Sequence, residues 1–213
     1  MPPLVIALAA LLCAAAAELL TPWARRLVDT DSRWLRRGIP AVLGAALGAA
    51  AAAVAEHWAV AIALCALAVG CAVLIPVDQA VLRLPDAIVW PTTVAVLGML
   101  LLAAAVTGDW ERLTTAVLAM LVVGLGYFVL AWFAPSSMGL GDVKLSLVLG
   151  LALGWFGWPA VLFGILGGFL LFALVAIALL VARRTSMQSD LPFGPWMILG
   201  AAVGLGWVLA VGG

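Results

Sequence analysis

The sequence predicts an all-α, polytopic membrane protein of about eight transmembrane helices. Two observations carry that prediction. First, 67% of the 213 residues are hydrophobic and only 9% are charged, where a soluble domain has roughly 25% charged residues. Mean hydropathy is +1.29. A water-soluble fold of this length has no interior large enough for so much apolar side chain, so the solvent is lipid. Second, charges, prolines and glycines cut the chain into apolar runs close to the about 20 residues that cross a bilayer.

The runs are, in order, roughly 3–22, 39–55, 58–77, 88–106, 113–133, 142–157, 159–182 and 193–212. Met1-Pro2-Pro3 lacks the basic segment of a secretory signal, and Leu12 is not the small residue that precedes a lipoprotein cysteine. The first run therefore reads as an uncleaved membrane helix. The second and sixth runs are short. Only Gly157-Trp158-Pro159 separates the sixth from the seventh, which leaves a re-entrant pair as the alternative there. Residues 1–213 read as a single integral membrane domain, and the basic loop 23–38 is too short to be a domain of its own.

Basic residues set orientation, because cytoplasmic loops carry an excess of Lys and Arg. Loop 23–38 holds Arg25, Arg26, Arg33, Arg36 and Arg37. With that loop inside, alternation also places Arg83, Lys144, Arg183 and Arg184 inside and leaves only Arg112 outside. Asp78, Asp86 and Asp142 then lie at the cytoplasmic edge of a plasma (inner) membrane, and loops 23–38, 78–87, 134–141 and 183–192 face the cytoplasm. Gly44/Gly48, Gly150/Gly154, Gly164/Gly168 and Gly200/Gly204 are small-x-x-x-small pairs. In lipid such faces let helix backbones approach, and here they are expected to pack within one chain. Oligomeric state stays open.

Several chemistries are excluded early. Cys13, Cys65 and Cys71 lie in apolar runs without a C-x-x-C pair, so they read as small buried hydrophobes. His57 is the single histidine, which argues against serine or cysteine proteases that need a histidine base. No cofactor, metal or nucleic-acid partner is expected; the bilayer is the evident one.

Ionisable groups in a membrane protein are costly and mark function by default. Asp29 and Asp31 sit among the arginines of the basic loop as solvated partners, and Asp109 and Glu111 sit in an outer loop. Asp190 lies in a polar inner loop, Glu18 near the inner end of the first span, and Glu56 at an outer boundary. Asp78, Asp86 and Asp142 remain, each at the end of an apolar helix. Taken singly, each has an ordinary reading. Asp78 is an interfacial acid near Arg83, and Asp86 and Asp142 are helix N-caps, a position Asp fills well. Lys144 reads as an interfacial anchor.

Together the segments say more. Asp78 is followed by Leu84-Pro85-Asp86 and, some sixty residues on, by Gly139-Leu140-Gly141-Asp142-Val143-Lys144-Leu145. This pattern resembles the type IV prepilin peptidases, Gly-x-Gly-Asp intramembrane aspartic peptidases with eight helices. Pro192-Phe193-Gly194-Pro195 also resembles a family segment, and the likeness covers roughly 39–213. The resemblance implies that Asp78 and Asp142 are the two catalytic aspartates. It further implies a prepilin or pseudopilin-like substrate, with a short basic leader and a hydrophobic helix, cut at the cytoplasmic membrane face. Many relatives carry a cytoplasmic insert with paired C-x-x-C motifs and also N-methylate the product. Loop 23–38 contains no cysteine, so the likeness is to the short, peptidase-only form.

Two carboxyls sharing one site cannot both ionise cheaply, so such a pair holds one proton and supplies one base and one acid. Helix dipoles suggest Asp142, at a helix N-terminus, as base and Asp78, at a helix C-terminus, as acid. The third and sixth spans are then expected to pack directly at their inner ends, with Gly139 and Gly141 permitting the approach. Two other functions fit less well. A presenilin-like protease has Tyr-Asp and Pro-Ala-Leu where this chain has Val77-Asp78 and Pro192-Phe193-Gly194-Pro195. A proton-coupled small transporter places its acids nearer mid-bilayer.

Overall fold

The computed structural model describes residues 1–133, 138–182 and 191–211. Arg183, Arg184 and Asp190, which the sequence places inside, lie outside the described residues. Every regular element among those described is helical. The order is α1 (Pro3–Leu27), a 3-10 turn (Arg33–Leu35), α2 (Ile39–Val54), α3 (Trp58–Val81), α4 (Asp86–Thr107), α5 (Trp110–Phe133), α6 (Leu140–Gly154), α7 (Trp158–Val181) and α8 (Gly194–Val211). By length and composition, α1, α3, α4, α5 and α7 can each cross a membrane. The chain is an all-α, multi-pass membrane protein, as its apolar runs predict.

The two runs expected to be short are short: α2 has 16 residues and α6 has 15. At 1.5 Å per residue they reach only about 24 and 22 Å, less than a hydrocarbon core of about 30 Å. Gly157, at φ +97°, turns the chain sharply between α6 and α7, a conformation that L side chains rarely adopt. Three boundaries that bear on function differ from expectation. Helix α1 runs on past 22 to Leu27, so Arg25 and Arg26 lie in its last turn and not in the loop. Helix α3 runs on past 77 to Val81 and takes in Asp78. Helix α6 starts at Leu140, so Asp142 is inside its first turn.

Consecutive helices are joined in pairs by backbone approach. In α2, a Cβ added at Gly44 would fall 2.6 Å from the Cys13 carbonyl oxygen, and one at Gly48 2.6 Å from the Cys13 Cβ. In α6, Gly150 and Gly154 press on Ala119 and Ala116 of α5. Between α7 and α8, Gly164 and Gly168 face Gly204 and Gly200. The small-residue faces are thus used inside one chain.

Helix α3 is the centre, packed by α1, α2, α4 and α8. Of its apolar stretch 61% is buried, against 11% for α7 at the lipid-facing periphery. His57 caps α3, its Nδ1 accepting from the Ala59 N–H at 3.3 Å. The basic loop is fastened to the bundle. Leu35 is fully buried where the 3-10 turn meets α3, Asp31 pairs with Arg25 at 2.7 Å, and Glu18 accepts from the Gly38 N–H at 3.0 Å.

Candidate active site

The site forms where α3 ends and α4, α6 and α8 begin. Asp78 lies in the last turn of α3 and is 4% exposed. Its Oδ2 accepts a 3.1 Å hydrogen bond from the N–H of Gly194, the first residue of α8. The opening N–H groups of a helix have no partner within it, so the carboxylate satisfies one of them. The absence of a side chain at 194 leaves room for the carboxylate, since a Cβ there would sit 2.8 Å from Asp78 Oδ2 and push it aside.

Asp142 is the third residue of α6 rather than its N-cap, which is Gly139. Its Oδ2 accepts from the Gly139 N–H at 3.1 Å, and its own N–H donates to the Gly139 carbonyl at 3.1 Å. This is the carboxylate half of a capping box. Asp142 is half-buried and lies within Coulombic reach of both Asp78 and the Tyr127 hydroxyl.

The two aspartates are brought together, but not by direct packing of α3 on α6. Among the described residues those helices share no extended contact; α4 and α8 each touch both. The link is the turn after α3. Leu82 closes α3 in the left-handed region, at φ +53°, its N–H bonded to the Asp78 carbonyl at 2.9 Å. Leu84 then points into the bundle and is buried. A Cβ at Gly141 would fall 3.0 Å from Leu84 Cβ, and one at Gly194 would fall 3.6 Å from Leu84 Cδ1. Leu84 therefore wedges between the glycine beside Asp142 and the glycine that holds Asp78.

Asp86 does not cap α4 as expected. Pro85 occupies the N-cap, Asp86 is the first helical residue, and its Oδ1 pairs with Lys144 Nζ at 2.6 Å. Lys144 is thus tied to α4 and is more than an interfacial anchor. The apolar wall of the site is aromatic. Phe193, next to Gly194, packs edge-on against Phe172 with centroids 5.1 Å apart, and Tyr127 stacks on Phe169 at 5.6 Å. Sequence reasoning assigned Tyr127 no role and named Leu84 only as part of the Leu84-Pro85-Asp86 segment. Tyr127 carried one signal, as the chain's single tyrosine within an apolar run. Leu84 carried none beyond that segment. Among the described residues no three His, Cys, Asp or Glu side chains are placed to share a metal ion.

Fold and site together define a multi-pass membrane protein with two carboxylates, one buried and one half-buried, within Coulombic reach of each other at one end of the bundle. Residues 65–181, more than half of the chain, match the Type IV leader peptidase family, and the chain belongs to it. It is similar to the prepilin leader peptidase/N-methyltransferase of Pseudomonas putida, at 34% identity over 130 residues, which are 58% of this chain and 42% of that protein. The protein of the same name from Aeromonas hydrophila is 30% identical over 105 residues, 47% of this chain and 35% of its own. The likeness thus spans less than half the length of these relatives. No solved structure gives a significant match.

Proposed function

We propose that this protein is a membrane aspartic endopeptidase. It removes the leader peptide of type IV prepilin-like or pseudopilin-like precursors at the cytoplasmic face of the plasma (inner) membrane. Asp78 and Asp142 are its catalytic pair, and residues 1–213 act as one integral membrane domain. The observation that carries the reading is the meeting of two aspartates, 64 positions apart, in a chain of the leader peptidase family. Two carboxylates at a membrane edge repel and lose hydration, so chemistry is the best reason to gather them.

With one proton shared, the ionised member takes a proton from water as that water attacks the scissile carbonyl carbon. The protonated member donates to the carbonyl oxygen. The tetrahedral intermediate then collapses, the C–N bond breaks and the amine leaves with a proton returned by the pair. Helix dipoles no longer assign the two roles, because Asp78 faces the start of α8 as Asp142 faces the start of α6. A site at the membrane edge suits a substrate whose hydrophobic helix stays in lipid while its basic leader stays in water. The proposal covers peptide cleavage alone, since residues 28–38 between α1 and α2 contain no cysteine pair.

Co-expression with a precursor made of a basic leader and a hydrophobic helix tests the reading. The wild type is expected to shorten the precursor on a gel. Asp78→Asn and Asp142→Asn are expected to leave it uncut while accumulating normally. An uncut precursor beside abundant wild type, or cleavage by both variants, would overturn the reading. Labelling of Asp86→Cys from the cytoplasmic side only is expected; labelling from outside would reverse the orientation.

A further inference from the structure

We infer that the turn between α3 and α4 sets the distance between the two catalytic carboxylates, and that the Asp86–Lys144 ion pair fastens it. Asp86 and Lys144 are then positioning residues. The inference rests on the paired-aspartate reading above. Three observations carry it. First, α3 and α6 share no extended packing among the described residues, so something else must hold Asp78 and Asp142 in register. Second, the turn leaves α3 four residues after Asp78, and its Leu84 is wedged against both Gly141 and Gly194. Third, Lys144, the fifth residue of α6, follows Asp142 by two residues and reaches Asp86, 58 positions away, at 2.6 Å.

Stability does not account for the pair. The Asp86 side chain is 59% exposed, and exposed ion pairs contribute about 0–1 kcal/mol. Catalysis is far more sensitive to geometry, and a displacement of about 1 Å can reduce a rate ~100-fold. A contact that hardly stabilises the fold can therefore govern the reaction. A lone anchoring role for Lys144, or a lone helix-dipole role for Asp86, makes a different prediction. Each charge would act by itself, and exchanging the two would compound the damage.

The test uses purified full-length chain in phospholipid vesicles with a leader-plus-helix precursor, measuring kcat and KM. Asp86→Ala and Lys144→Ala are each expected to lower kcat about 10- to 100-fold with KM within about twofold. Lys144→Arg keeps the pair and is expected to stay near wild-type kcat. The exchange Asp86→Lys with Lys144→Asp is expected to recover most of the lost rate. Single variants at wild-type kcat would overturn the inference. So would an exchange no better than the singles, or a raised KM at unchanged kcat, which would make Asp86 a contact for the basic leader. A wild type unable to cut any precursor would overturn the proposed function and this inference together. An active wild type beside unaffected single variants would overturn this inference alone.

Discussion

The helix pairs α1/α2, α5/α6 and α7/α8 are joined by backbone approach along glycine faces. The end of the bundle that holds Asp78 and Asp142 is joined by a few directed contacts. The pairs depend on many atoms, each contributing little, and their geometry is written as a four-residue spacing. The site depends on single atoms: one N–H on Asp78, one N–H on Asp142, one leucine between two glycines, one ion pair. A helix pair can therefore lose contacts and keep its register, whereas the site can lose its register while the fold survives.

Substituting glycines in the two regions should separate these behaviours. Gly194→Ala places a Cβ 2.8 Å from Asp78 Oδ2 and displaces the carboxylate. Cleavage is expected to fall about 10- to 100-fold with protein abundance unchanged, read by gel shift and immunoblot. Gly200→Ala drives a Cβ into the Gly168 backbone of α7. Overpacking of that kind costs about 1–3 kcal/mol, so lower abundance or a lower unfolding temperature is expected, with the specific activity of surviving protein near wild type. If both variants lost activity and abundance in equal measure, the two regions would not differ as described.

The opposite end of the bundle supplies the smallest effect. Glu56 and Arg112 pair at 2.8 Å, both more than a third exposed. Glu56→Gln is expected to change stability by less than about 1 kcal/mol and to leave cleavage unchanged. A large loss of cleavage there would mean that the site is coupled through the whole bundle rather than set locally.

The same division explains what could be read from the sequence. The eight helices were legible because apolar runs in lipid have one length scale. The glycine faces were legible because close approach leaves a period. Asp78, Asp86 and Asp142 stood out because ionisable groups at apolar helix ends are rare, and only the resemblance of their segments to a known family singled out Asp78 and Asp142. The contacts between them were not legible. Leu84 is one more leucine until its turn lays it between Gly141 and Gly194. Asp86 reads as a cap because nothing in its neighbourhood shows that Pro85 takes that position and that Lys144 arrives from 58 positions away. The division of roles by helix dipole lost its basis for a similar reason. It weighed each aspartate against its own helix, while the N–H on Asp78 comes from α8, 116 positions on.

If Asp78 and Asp142 work as one unit, the residual rates of three variants reveal it. Groups that act as a unit are strongly non-additive: removing one costs about as much as removing all. Cleavage of a leader-plus-helix precursor is to be measured for Asp78→Asn, Asp142→Asn and the double variant, each at matched abundance. A single catalytic unit leaves the same residual rate in all three, at the background of the precursor alone. Substantial cleavage by either single variant, or a double variant slower than both singles by the product of their losses, would contradict it.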